Sequence, residues 1–284
     1  MEWVPAGVRF APGIFSFLFG GLSLVLPIAG QRELTEIKVA DIPFGDGALR
    51  IAQNGTNQGP LVLMIHGTPD RWMNSEGFLN NEQLTSRALV VSMDRLGWGG
   101  SQSGGDVVTD LRQQARAAAA VLKHFGDRRP ATLVGHSLGG TIVVQAVLDH
   151  PALIDGALIV SASLDPAVEK TTWYQAIGRW KIVRWALSQK LIAADQEIEA
   201  LPDQLRVMSA GWPAVSTPLI VLQGEKDKLV PIAHAEYPSR LAPTALLDTI
   251  RLPKQGHFVP WEQPQVMVDA IVRLLDHATT NAGH

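Results

Sequence analysis

The stretch Gly135-His136-Ser137-Leu138-Gly139 sets one serine between two glycines. A predicted strand, "ATLVGH" (131–136), runs straight into a predicted helix that opens at Leu138. A serine hydroxyl at such a junction can serve as a nucleophile, because a strained backbone turn projects it out of the fold. The residues two before and two after must then be small, since strand and helix pass close together; Gly135 and Gly139 meet that need and Gly140 adds room. The residues after the serine exclude other glycine-rich turns. A phosphate-binding loop requires a lysine followed by serine or threonine, and a dinucleotide fingerprint requires a third glycine at a different offset; neither is present.

A serine nucleophile needs a base, an acid behind the base, and two N–H groups for the developing oxyanion. Among eight histidines, His257 in "PKQGHFVPWEQP" alone sits in a loop near the C-terminus, between the strand candidate 247–252 and the last helix. Asp227 in "VLQGEKDKLVP" follows another strand end, where its carboxylate can reach a histidine on a neighbouring loop. Asp165 in "SASLDP" is a rival for the acid and Glu225 a weaker one. The oxyanion donors expected are the N–H of Leu138, at a helix N-terminus where amides are free, and that of Thr68 in "IHGTPDRW". Pro69 has no N–H to offer. His66 is expected to hold that loop rather than to do chemistry.

These residues need a frame. The runs "LVLMIH" (61–66), "ALVVSMD" (88–94), "ATLVGH" (131–136), "GALIVSA" (156–162) and "TPLIVLQG" (217–224) are apolar throughout, as parallel strands covered on both faces must be. Helix candidates at 110–125, 138–148, 233–241 and 264–275 alternate with them. That alternation predicts an α/β fold with a mostly parallel central sheet flanked by helices. "LTEIKVADI" and "ALRIAQNG", joined by "PFGDG", read as a preceding hairpin. About 50 mostly helical residues interrupt the alternation before Thr217. They hold Trp173, Trp180, Trp185 and Trp212, half of the chain's eight tryptophans, so they read as a small helical cap.

The bulk of the chain narrows the chemistry. With 284 residues, 46% of them hydrophobic, a large core is available. A net charge of −3 with no basic cluster argues against nucleic acid as a partner. The absence of cysteine rules out disulfides, thiolate metal sites and a cysteine nucleophile. No His/Asp/Glu group has metal-ligand spacing, so neither metal nor cofactor is expected. From Phe10 to Gln31 no charged residue occurs. That length suits a signal peptide or a membrane anchor and predicts an exported or membrane-associated protein rather than a cytoplasmic one. The domain reading is therefore a leader at 1–31, a core at 32–165 and 213–284, and a cap at 166–212.

In family order, His66-Gly67-Thr68-Pro69, "DRLGWGGS" (94–101), Gly135 to Gly139, Gly224 to Asp227 and Gly256-His257 resemble the α/β-hydrolase superfamily, in its capped, serine-dependent branch. The resemblance runs from about residue 35 to the C-terminus, and its chain order of serine, aspartate and histidine favours Asp227 over Asp165 as the acid. It implies that "DRLGWGGS" is a structural turn with Trp98 bordering a pocket, and Trp173 is expected to line the pocket from the cap. Epoxide hydrolases and haloalkane dehalogenases share the His-Gly-x-Pro loop but carry aspartate where Ser137 stands. The expectation is a carboxylesterase acting on small apolar esters through Ser137, His257 and Asp227. Carbon–carbon, amide or lactone hydrolysis on the same triad is one alternative, and a non-enzymatic ligand-binding protein of the same fold is another.

Overall fold

Branched aliphatic side chains form strands when both faces of a sheet are covered. The computed structural model describes residues 36–101, 107–126, 129–169 and 189–281. The hairpin is β1 (Lys38–Phe44) and β2 (Gly47–Gly55). The apolar runs are β3 (Leu61–Ile65), β4 (Leu89–Met93), β5 (Ala131–His136), β6 (Gly156–Val160) and β7 (Leu219–Gly224), followed by β8 (Leu246–Leu252). They make one eight-stranded sheet in the order β1-β2-β4-β3-β5-β6-β7-β8. β1 and β2 are antiparallel to each other, β2 is antiparallel to β4, and the pairs from β4 through β8 are parallel.

Among the described residues there are four long helices: α1 (Leu111–His124), α2 (Leu138–Asp149), α3 (Gln189–Ser209) and α4 (Pro264–Asn281). Alternate residues of each strand feed opposite layers. Leu61, Leu63 and Ile65 pack with Leu111, Ile142 and Val143 from α1 and α2. Val62 and Met64 pack on the other face with Met267, Ile271 and Leu274 of α4. Single helical turns at Trp72–Ser75, Glu76–Leu79 and Glu82–Thr85 lie between β3 and β4, each too short to show a period in the sequence. The helix expected at 233–241 is split into a 3-10 turn (Ile232–Glu236) and a short helix (Tyr237–Leu241) with Pro238 in its first turn.

The described helix of the segment expected to form a cap is α3. It runs unbroken through Pro202, which forfeits one backbone hydrogen bond. Leu201, Leu205 and Met208 bury themselves in the main core beside Trp212, which offsets that loss. Trp212 is fully buried, edge-on to Tyr237 at 5.7 Å, so it fastens the end of this segment to the core. Trp173, Trp180, Trp185 and the leader at 1–31 lie outside the described residues. Among the described residues no helix is long and apolar enough to cross a membrane.

Helix α1 starts where Asp110 accepts a hydrogen bond from the Arg112 N–H at 2.7 Å. Asp110→Ala is expected to lower unfolding free energy by about 1 kcal/mol, the usual worth of such a cap. Urea denaturation reads this directly; an unchanged midpoint would show that α1 does not depend on the cap.

Candidate active site

The elbow forms because three backbones meet where no side chain fits. A Cβ on Gly135 would lie 2.3 Å from the Gly139 carbonyl oxygen, and one on Gly139 would lie 2.1 Å from that of Ile65. Ser137 sits between them at φ 55°, ψ −126°, a left-handed conformation that costs a non-glycine residue free energy. Its N–H donates to the Val160 carbonyl of β6 at 2.8 Å, which pins the strained residue to the sheet.

His257 lies in the loop after β8. Its Nδ1 is 2.8 Å from Oδ2 of Asp227, just past the end of β7. The other carboxylate oxygen of Asp227 accepts the N–H groups of Leu229 and Val230, each at 2.8 Å, and Gln223 Nε2 donates to Oδ2 at 3.1 Å. Burial pushes the Asp227 carboxyl up, but the His257 contact and those two N–H groups outweigh it and hold the group below its ordinary range. An ionised carboxylate on Nδ1 keeps the proton there and leaves Nε2 as the basic nitrogen. The His257 carbonyl accepts from His136 Nε2 at 2.9 Å, which fixes the loop to the elbow.

The rival acids are engaged elsewhere or exposed. Asp165 pairs with Arg240 and accepts the Ala167 N–H. Beside it, His234 Nδ1 accepts the N–H groups of Leu164 and Asp165, both at 3.0 Å. Its Nε2 therefore carries the proton and faces Glu169 at 3.3 Å. Glu225 is exposed.

Ser137 and His257 share the wall of a cavity of about 480 Å³ with Gly67, Thr68 and Pro69. The Thr68 N–H has no protein partner among the described residues. Leu138 is the first residue of α2, so its N–H is free of the helix ladder. Trp98, expected at the pocket border, does not line this cavity. Its indole is buried and donates to Glu197 Oε1 at 3.0 Å, which turns the ring into the core. Trp173 lies outside the described residues.

The remaining wall is Asp70, Asn74, His136, Leu229, Phe258 and Trp261, none of which sequence reasoning singles out. A signal for two of them is present, because "HFVPW" sets two aromatic residues directly behind His257. Burial pushes Asp70 up to about 6, so this wall is mostly anionic at neutral pH. No lysine or arginine lines the cavity among the described residues.

The strand order, the elbow serine and the His–Asp contact behind it define an α/β-hydrolase fold. The chain belongs to the alpha/beta hydrolase family, whose model matches residues 62–270. It resembles 2-(acetamidomethylene)succinate hydrolase of Mesorhizobium japonicum, 23% identical over 271 residues that cover 83% of this chain and 94% of that one. Pimeloyl-[acyl-carrier protein] methyl ester esterase of Chromobacterium violaceum is 32% identical over 175 residues, 59% of this chain and 61% of that one. The crystal structure of E-2-(acetamidomethylene)succinate hydrolase superposes with a TM-score of 0.66 over 85% of this chain and 100% of that one; at 20% identity this is a likeness of fold. These relatives are hydrolases, and the chain is a hydrolase of the same family.

The packing makes Gly139 and Gly45 a controlled pair. Gly139→Ala puts a methyl group into the Ile65 carbonyl and is expected to give insoluble or markedly destabilised protein, while Gly45→Ala, where nothing lies within 4 Å, is expected to stay folded with only backbone strain; thermal melts compare them. A second outcome concerns His234, which burial holds down at about 4 against an ordinary 6.5 despite the nearby charges of Asp165 and Asp227. The fold thus prefers the neutral ring, a contribution complete above pH 6.5 and lost as pH falls through 4. The cost of His234→Gln should shrink by about 2 kcal/mol between pH 7.5 and pH 5. A pH-independent cost, measured by chemical denaturation, would mean that the fold does not discriminate between the neutral and the charged ring.

Proposed function

We propose that the protein hydrolyses neutral carboxylic esters through an acyl-enzyme on Ser137, with His257 as general base and acid and Asp227 as its orienting carboxylate. The observation that carries the reading is the 2.8 Å contact of His257 Nδ1 with Asp227, on a histidine that shares a cavity with a serine held at positive φ. His257 Nε2 takes the hydroxyl proton as Ser137 Oγ attacks the ester carbonyl. Charge moves onto the carbonyl oxygen, and the N–H groups of Leu138 and Thr68 meet it. Asp227 stabilises the imidazolium without taking its proton. His257 then protonates the departing alkoxide, water enters, and the same steps release the acid.

The cavity wall favours the substrate class. Leu229, Phe258 and Trp261 offer apolar contact, while anionic Asp70 disfavours a second carboxylate on the substrate. A neutral, apolar acyl ester suits that wall better than a dicarboxylate.

The test is a fluorophosphonate adduct located by peptide mass spectrometry, alongside turnover of p-nitrophenyl butyrate. Labelling is expected on Ser137, with turnover falling at least 10³-fold in Ser137→Ala and about 10³- to 10⁴-fold in Asp227→Asn. A folded wild-type protein that neither labels nor turns over any of a panel of esters would instead indicate a binding protein on this fold.

A further inference from the structure

A buried guanidinium lies directly behind the proposed oxyanion loop. Arg95 follows β4 and is 1% exposed; Glu197 belongs to α3 and is 2% exposed. The two meet bidentately, Nη1 to Oε1 at 2.6 Å and Nη2 to Oε2 at 3.1 Å. The Trp98 indole N–H also donates to Oε1, and the guanidinium lies 5.3 Å from the Trp98 ring centroid. Nη2 has a second acceptor, the carbonyl oxygen of Gly67 at 3.1 Å. That carbonyl also faces His66 Nδ1 at 2.7 Å. The Arg95 N–H donates to His66 Nε2 at 3.0 Å, so the neutral ring carries its proton on Nδ1 and gives it to the same oxygen. Arg95 thus holds one carbonyl twice, once directly and once through His66.

A trans peptide is planar, with its C=O and N–H pointing opposite ways. The Gly67–Thr68 peptide is trans. Fixing the Gly67 oxygen toward Arg95 therefore fixes the Thr68 N–H away from it. That peptide lies against the nucleophile: a Cβ on Gly67 would be 3.0 Å from the Ser137 Cβ. A buried ion pair is seldom more stabilising than a well-packed apolar pair, and here Arg95 Nε is buried without a partner among the described residues. Stability alone is a weak reason for this arrangement, whereas orientation of a catalytic amide is a specific one.

We propose that Arg95 and Glu197 are positioning residues that lock the Gly67–Thr68 peptide with its N–H toward the oxyanion, so that seating of helix α3 of the cap determines whether the oxyanion site is assembled. The inference rests on the roles of Ser137 and Thr68 given above. Glu197→Gln keeps an acceptor for Trp98 and for one Arg95 nitrogen but removes the charge that clamps the guanidinium. The double variant Arg95→Met/Glu197→Leu removes both charges together, so no lone charge is left buried.

The experiment measures p-nitrophenyl butyrate kinetics per active site, counted by the burst of p-nitrophenol, and the affinity of an alkyl boronic acid. The boronate adduct on serine places an oxygen where the oxyanion forms. Loss of one oxyanion donor costs on the order of 10²- to 10³-fold in kcat, and a misaligned donor costs less. The expected result is a kcat lowered about 10-fold in Glu197→Gln and 30- to 100-fold in the double variant. KM should stay within about threefold, the site count should be unchanged, and boronate affinity should fall by about the same factor as kcat/KM. Unchanged kcat in either folded variant would overturn the proposal. So would a raised KM with kcat preserved, which would make the pair part of the substrate pocket. Wild-type protein and Ser137→Ala run alongside: a wild type without turnover defeats the esterase reading itself, whereas an active wild type with equally active variants defeats only this inference.

Discussion

The site depends on how closely three backbones approach at the end of β5. Gly135, Gly139 and the Ile65 carbonyl are packed so tightly that no side chain fits among them. This closeness forces the chain to reverse within one residue, and Ser137 absorbs the reversal at positive φ. The strain is local, but what opposes it is spread widely. α2 is buried along nearly its whole length, and β5 is paired on both sides by β3 and β6. A serine on a looser turn would keep its hydroxyl but lose its direction.

The elbow also decides where everything else must stand. In a parallel sheet all strand C-termini emerge at one edge, and the loops there are the place for a site. Gly67 follows β3, Ser137 follows β5, Asp227 follows β7 and His257 follows β8. Residues separated by up to about 190 positions meet because parallel strands deliver them to the same edge. Asp227 is held by two backbone N–H groups and by Gln223 before it meets His257, so the acid is oriented by its own strand end. The histidine is held in turn by its own carbonyl, which accepts from His136.

The same geometry explains what is readable in the sequence. β5 is readable to its last residue, because Pro130 precedes it and the elbow ends it. The elbow and the His–Asp contact are readable because their constraints are local: small residues at fixed offsets, and loops directly after strands. Trp98 is not, since its hydrogen-bond partner Glu197 lies 99 positions away on a helix whose placement no local pattern specifies. Arg95 is hidden for the same reason. Asp70 and Leu229 become cavity wall through loop geometry, which leaves no periodic trace. Helix α3 shows in the sequence only as part of about 50 mostly helical residues, because the contacts that seat it, those of Leu201 and Leu205, are made with distant parts of the core.

The molecule places two carboxylates against cationic or potentially cationic partners near the site, with opposite electrostatic characters. Asp227 faces His257, whose charge changes during the proposed cycle, so this pair is neutral overall only while the imidazolium exists. Arg95 faces Glu197, and that pair stays neutral throughout. The difference matters for release of product. The ester hydrolysis proposed above would leave a carboxylate beside the proposed oxyanion donors, and an uncompensated cation there would hold it. Glu197 cancels the Arg95 charge while leaving its N–H groups to orient the loop, and Asp70 adds repulsion from the cavity wall. In the proposed cycle, backbone dipoles would stabilise charge as it forms on a neutral substrate, and no net positive charge would trap the anion afterwards.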